Sequence, residues 1–159
     1  MAHTYLVSIK INEKMYEISV SAFDILLDVL RRQGLTGAKP GCRNGDCGAC
    51  TILMNGRPMK SCLVLAIEAE DSEITTIEGI GASPIQKAFV ERFAFQCGYC
   101  TPGFIMNIHG LFLHHPAPDK SIITEWLSSN ICRCTGYKEI EEAILSMLNE
   151  SWQFPEKNQ

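Results

Sequence analysis

Eight cysteines in a chain of 159 residues fall into two groups, and each group has spacings that could bind a metal centre. The first group, Cys42, Cys47, Cys50 and Cys62, follows C-x4-C-x2-C-x11-C, and its first three members have the plant-type [2Fe–2S] spacing. Each iron of such a centre takes two thiolates, so one loop wraps the cluster with three ligands while a fourth arrives from another segment. Gly41, Gly45 and Gly48 allow so tight a loop and let backbone amides face the sulfurs. Two ferric ions, two sulfides and four thiolates sum to a formal charge of about −2, so those amides would stabilise the centre and tune its potential. Four cysteines can also bind zinc, but zinc sites commonly pair two C-x2-C knuckles instead of placing three ligands in one loop.

The second group is ambiguous by spacing alone. Cys97 and Cys100 form C-x2-C, and Cys132 and Cys134 form the tighter C-x-C. Zinc would suit the paired spacing, and Cys97 with Cys100 could be a redox dithiol, although no alternating strand and helix pattern surrounds them. Thr101-Pro102-Gly103 leads into one helical stretch and Thr135-Gly136-Tyr137 into another, so both pairs are expected at helix N-termini. There the macrodipole and free N–H groups favour an anionic thiolate centre, and Pro102 suits a first turn that needs no N–H.

The elements that must position these residues can be read from periodicity. Tyr5, Val7, Ile9 and Ile11 alternate with polar residues, as do Tyr16, Ile18 and Val20, which predicts a hairpin turning near Asn12 to Lys14. Ile25, Leu26, Val29 and Leu30 predict a helix that begins near Asp24 and stops at Gly34. Thr51 to Met54 and Arg57 to Lys60 flank Asn55-Gly56, a dipeptide suited to a tight hairpin turn, and Ile74 to Ile77 supply a late strand. That order predicts a β-grasp sheet folded over one helix. Gly79, Gly81 and Pro84 punctuate the chain, and the patterns beyond them are helical. The apolar stripes are Ile85, Ala88, Phe89 and Phe93; Phe104, Ile108, Leu111 and Phe112; Ile122, Ile123, Trp126 and Leu127; and Ile140, Ala143, Ile144, Met147 and Leu148. The fold expected is α+β: a plant-type ferredoxin-like β-grasp domain over residues 1–78, then a small four-helix bundle over 79–159. Ser151 to Gln159 are polar and are expected to fray.

Composition narrows the chemistry further. With 46% hydrophobic and 20% charged residues the chain can build a packed core. A net charge of −4 and the absence of a basic run exclude nucleic acid as a partner. No apolar stretch approaches the roughly 20 residues that span a bilayer, and the N-terminus lacks a basic region followed by an apolar core, so a cytoplasmic protein is expected. In a reducing compartment closely spaced cysteines are metal ligands more often than disulfides.

Three segments together carry a family resemblance: GCRNGDCGACTI with SCLVLA, FQCGYCTPGFIM, and NICRCTGYKEI. In that order, with all eight cysteines present, they resemble the iron–sulfur subunit of the molybdenum hydroxylases, the xanthine dehydrogenase and aldehyde oxidase family. The resemblance spans nearly the whole chain. It implies two [2Fe–2S] clusters, with Cys97, Cys100, Cys132 and Cys134 holding the one nearer molybdenum and Cys42, Cys47, Cys50 and Cys62 the one nearer FAD. Gln96 and Cys134 match positions that lie against the pterin. It also implies a large subunit carrying the molybdenum–pterin centre and a medium subunit carrying FAD, in a heterotrimer or its dimer, with electrons passing from molybdenum through the clusters to flavin. The substrate pocket would belong to the large subunit; a purine such as xanthine is favoured, with aldehydes, other N-heterocycles and carbon monoxide as alternatives.

On this reading the chain has no catalytic acid, base or nucleophile. Its rivals are a free two-cluster ferredoxin and a structural zinc protein. His109, His114 and His115 are read as structural, because both groups already supply four cysteines. Lys39, Arg43 and Arg133 lie beside ligand positions, where they could offset charge or serve as solvated surface residues. Phe89, Phe93, Phe104 and Phe112 are read as core.

Overall fold

The structure is a computed structural model that describes residues 3–149. The segment Ser151 to Gln159, expected to fray, lies outside the described residues. Among the described residues the fold comprises a five-stranded mixed sheet and five α-helices. Strands β1 (Thr4–Ile11) and β2 (Lys14–Ser21) pair antiparallel, with Ile11 opposite Lys14. The two-residue turn between them puts Asn12 and Glu13 at φ 48° and 67°, which matches the twist of the flanking strands. Helix α1 (Leu26–Arg32) follows and buries Leu26, Leu27, Val29 and Leu30. Strands β3 (Thr51–Met54) and β4 (Arg57–Lys60) form the second hairpin around Asn55-Gly56.

Strand β5 (Glu73–Thr75) closes the sheet, parallel to β1 and antiparallel to β3, in the order β2-β1-β5-β3-β4. It ends two residues earlier than the pattern predicts, because Ile77 belongs to a 3₁₀ turn over Ile77–Gly79. Side-chain hydrogen bonds take over from the ladder there. Asn12 Oδ1 accepts the Thr76 amide at 2.9 Å, and the Thr76 hydroxyl donates to Glu78 at 2.6 Å. Alternating residues of β1 and β2 (Val7, Ile9, Ile11, Ile18, Val20) pack with α1, Ile52 and Ile74 into one apolar core.

Four helices follow: α2 (Pro84–Glu91), α3 (Thr101–His114), α4 (Lys120–Leu127) and α5 (Lys138–Asn149). Ser83 and Gln86 form a reciprocal capping box at the start of α2, and Asp119 caps α4 through the Ile122 amide at 3.0 Å. Their apolar stripes meet in a second core built on Ile85, Phe89, Phe104, Ile108, Leu111, Ile123, Ile140 and Ile144. The α3 helix also packs against β3 and β4, and Gly110 brings its backbone against Pro58 and Leu53.

Phe93 departs from the expected stripe. It is 78% exposed, because α2 ends at Glu91 and Phe93 takes a left-handed φ of 51°. The Ala94 amide then returns to the Phe89 carbonyl at 2.9 Å, so buried Ala94 takes the core position and Phe93 points outward. Phe89, Phe104 and Phe112 are core residues. Among the described residues no helix is long and apolar enough to cross a membrane.

Candidate metal centres

None of the eight cysteines is disulfide-bonded. Cys42, Cys47 and Cys50 lie in the loop between α1 and β3, and Cys62 sits in a 3₁₀ turn (Ser61–Leu63) directly after β4. The β3–β4 hairpin therefore carries the fourth cysteine back to the other three. Ser61 fastens this arrangement, its buried hydroxyl donating to the Cys50 carbonyl at 2.8 Å. Arg43 fastens the outer part of the loop to α1, its guanidinium reaching both oxygens of Asp28 at 2.9 Å. Lys39 turns back on its own segment, its ammonium donating to the Thr36 and Gly37 carbonyls at 3.1 and 3.2 Å.

Within the loop, the Cys42 amide donates to Cys47 Sγ and the Cys47 amide donates to Cys42 Sγ, both at 3.3 Å. The backbone N–H of Cys47, with those of Asn44 and Asp46, pulls the Cys42 thiol down to about 7. Burial pushes Cys62 up to about 11, and its neighbour Cys50 adds to the rise while the Gly45 amide opposes it. Gly41 is required here: a β-carbon at that position would strike Cys47 Sγ.

The second group converges from two loops. Cys97 and Cys100 precede α3, and Cys132 and Cys134 lie between α4 and α5. Cys134 Sγ lies 3.7 Å from Cys97 Sγ, and Cys100 neighbours Cys132. Burial, reinforced by Cys132, pushes the Cys100 thiol up to about 12. Burial would also raise Cys132, but donation from the Thr135 hydroxyl and the Thr135 and Cys134 amides outweighs it and holds that thiol below its ordinary value. Only Cys100 of this group occupies a helix cap, its carbonyl accepting the Phe104 amide at 3.1 Å. Cys132 and Cys134 stand off from α5, because the turn through Thr135, Gly136 and Tyr137 intervenes and the Tyr137 carbonyl accepts the first helical amide, from Glu141. The Gln96 side-chain amide donates to the Cys134 carbonyl at 3.1 Å, so Gln96 and Cys134 share one exposed edge.

Among the described residues no three or more His, Cys, Asp and Glu side chains converge on a point that could hold a single metal ion. The sulfurs come instead in pairs: Cys42 with Cys47, Cys50 with Cys62, Cys97 with Cys134, and Cys100 with Cys132. A two-iron centre takes two thiolates at each iron, so two pairs per group suit it, and the amides aimed at the sulfurs suit its negative charge. A cavity of about 240 Å³ opens between Cys42 and Cys47 on one side and Cys97, Cys100, Cys132 and Cys134 on the other.

The two groups are joined directly. The Ile131 amide donates to the Cys47 carbonyl at 2.9 Å, and the Asn130 side-chain amide donates to the Gly48 carbonyl at 2.9 Å. Gly48 (φ 67°) has no room for a side chain, since a β-carbon would strike the Asn130 amide. Asn130 and Thr135 were not singled out by cysteine spacing, although their adjacency to Cys132 and Cys134 is a usable signal. The histidines stand apart from both groups. His114 bonds the Gly56 carbonyl at 3.1 Å, His115 packs edge-on against Trp126, and burial lowers the basicity of His109.

Two family models match the chain: a 2Fe-2S iron-sulfur cluster binding domain over residues 7–94 and a [2Fe-2S] binding domain over residues 76–145. The chain is 46% identical over 143 residues to the nicotine 6-hydroxylase small subunit of Paenarthrobacter nicotinovorans, covering 87% of each. It is 42% identical to the nicotinate dehydrogenase small FeS subunit of Eubacterium barkeri, covering 87% of this chain and 91% of that one. Its fold matches a chain of quinoline 2-oxidoreductase from Pseudomonas putida 86 with a TM-score of 0.84 at 38% identity, covering 93% of this chain and 98% of that one.

Proposed function

This chain belongs to the family of small iron–sulfur subunits of the molybdenum hydroxylases, and on that premise we propose that it relays single electrons from a molybdenum–pterin centre in a large partner subunit to FAD in a medium one. The observation that carries the reading is the sorting of eight free cysteines into four thiol pairs, two pairs in each of two sites. Cys42, Cys47, Cys50 and Cys62 hold one [2Fe–2S] cluster, on the FAD side. Cys97, Cys100, Cys132 and Cys134 hold the other, on the molybdenum side, with Gln96 and Cys134 against the pterin. Bound clusters supply reversible one-electron chemistry at the two sites.

The chain's own residues do the rest. Amides of Cys42, Asn44, Gly45, Asp46 and Cys47 soften the negative charge of the first site. Cys50, Cys62 and Cys132 are buried, which keeps water from one side of each site. Cys42, Cys97 and Cys134 are exposed, which gives each site an edge that a partner can approach. The Ile131–Cys47 hydrogen bond fixes the separation of the sites. The sheet order and the two cores support reading residues 1–78 as a ferredoxin-like β-grasp domain and 79–159 as a four-helix domain.

The complex takes an N-heteroaromatic substrate on this reading, as the names of the nicotine, nicotinate and quinoline enzymes suggest, and xanthine falls within that class. The substrate pocket lies in the large subunit.

Copurification from the native host tests the assignment. It should yield a complex with about four irons and four labile sulfides per copy of this chain, the content of two [2Fe–2S] clusters. Electron paramagnetic resonance should show two reduced signals. Cys134→Ser should damage one and Cys47→Ser the other. Loss of the same signal in both variants refutes the division of ligands, and an isolated monomer that serves unrelated enzymes refutes the subunit role.

A further inference from the structure

Thr135 follows the second cysteine pair and is only 9% exposed. Its hydroxyl oxygen lies 3.2 Å from Cys132 Sγ and also accepts the Tyr137 amide at 3.2 Å. A hydroxyl has one proton to donate. With the Tyr137 N–H occupying a lone pair, that proton is directed at the sulfur. The Thr135 amide approaches the same sulfur from 3.5 Å.

The turn that holds this hydroxyl is closed from both ends. The Cys132 amide donates to the Tyr137 phenolic oxygen at 3.2 Å, and Gly136 and Tyr137 both adopt left-handed φ values, 64° and 72°. The Tyr137 ring packs edge-on against buried Phe104, with centroids 6.3 Å apart. Among the described residues Cys132 is the one cysteine whose sulfur accepts a hydrogen bond from a side-chain hydroxyl.

We infer that Thr135 is a positioning residue that raises the reduction potential of the cluster held by Cys97, Cys100, Cys132 and Cys134, through its hydroxyl donated to Cys132. This rests on the iron–sulfur reading given above. Reduction brings one more negative charge onto the iron and its thiolates. A hydrogen bond to an anionic sulfur strengthens as that charge grows, so the reduced form gains more than the oxidised form. One electron is taken up, from the partner's donor or from dithionite, and the proton stays on the Thr135 oxygen throughout. Among the described residues no side-chain hydroxyl donates to a sulfur of the first site, where backbone amides do so, and the hydroxyl sets the two sites apart.

A redox titration of the assembled complex, followed by electron paramagnetic resonance with the second-site signal assigned by Cys134→Ser, tests this. Thr135→Val should lower the potential of the second-site cluster and leave the other where it was, and Thr135→Ser should restore it. An unchanged potential in Thr135→Val, or a Ser variant that behaves as the Val variant does, overturns the inference. If Thr135→Val does not load its cluster, wild-type complex exchanged into D₂O and reduced should show, by deuterium hyperfine spectroscopy, one exchangeable deuteron coupled more strongly than the amides. Absence of that deuteron overturns the inference equally. A wild-type complex with neither cluster signal refutes the iron–sulfur reading itself, whereas two intact signals without a shift refute only the role of Thr135.

Discussion

The Ile131 amide donates to the Cys47 carbonyl at 2.9 Å, and this joins a residue adjoining one cysteine pair to a cysteine of the other group. Beside it Asn130, 2% exposed, spans the same gap from its side chain to Gly48. A β3-side loop and an α4–α5 loop, far apart in sequence, are held in fixed register by adjacent hydrogen bonds.

Asn130→Ala should therefore loosen the contact. Losing a buried hydrogen bond of this kind costs about 1–2 kcal/mol, read as a lower urea midpoint at unchanged slope. Asn130→Asp should cost more, because a carboxylate would then face the Gly48 carbonyl.

Gly103 in α3 sits directly on the first cysteine loop, and a β-carbon there would strike the Gly48 carbonyl oxygen and lie 3.0 Å from Ala49 Cα. Both obstacles are backbone and cannot swing aside. Gly103→Ala should destabilise by about 1–3 kcal/mol through overpacking, with a corresponding fall in the thermal midpoint.

Arg43 carries a left-handed φ of 61° beside Cys42, and its fork to Asp28 ties the loop to α1. Arg43→Ala should release that loop, so an iron chelator should bleach the first-site signal several-fold faster. The second-site signal should decay as in the wild type. Equal acceleration of both would show that the ion pair does not act locally.

Burial lowers the pKa of His109 below its ordinary 6.5. The unfolded chain then binds a proton at a higher pH than the folded one, so stability is fully present above 6.5 and is lost as pH falls through the folded value. Unfolding midpoints measured between pH 7.5 and 5 should drop on the acid side, and His109→Gln should flatten that slope.

Much of this molecule was legible in one dimension. Asn55-Gly56 marked the β3–β4 hairpin because few residues tolerate its backbone angles, and the C-x4-C-x2-C run marked a loop of converging cysteines because thiols so close in sequence lie within reach of one another. Local steric rules settle such features before any tertiary contact forms. The exit of Phe93 from its stripe was not legible, since it follows from α2 stopping at Glu91 and from the left-handed turn at Phe93 that delivers Ala94 to the core. Nor was the Asn130–Gly48 clamp, or the hydroxyl of Thr135 aimed at Cys132. Sequence by itself determined which side chains can ligate, since that follows from residue type and short-range spacing. Only the tertiary structure decided which thiols pair, which edges face outward and how the two sites join, because those depend on contacts between segments that the chain brings together only when its two cores pack.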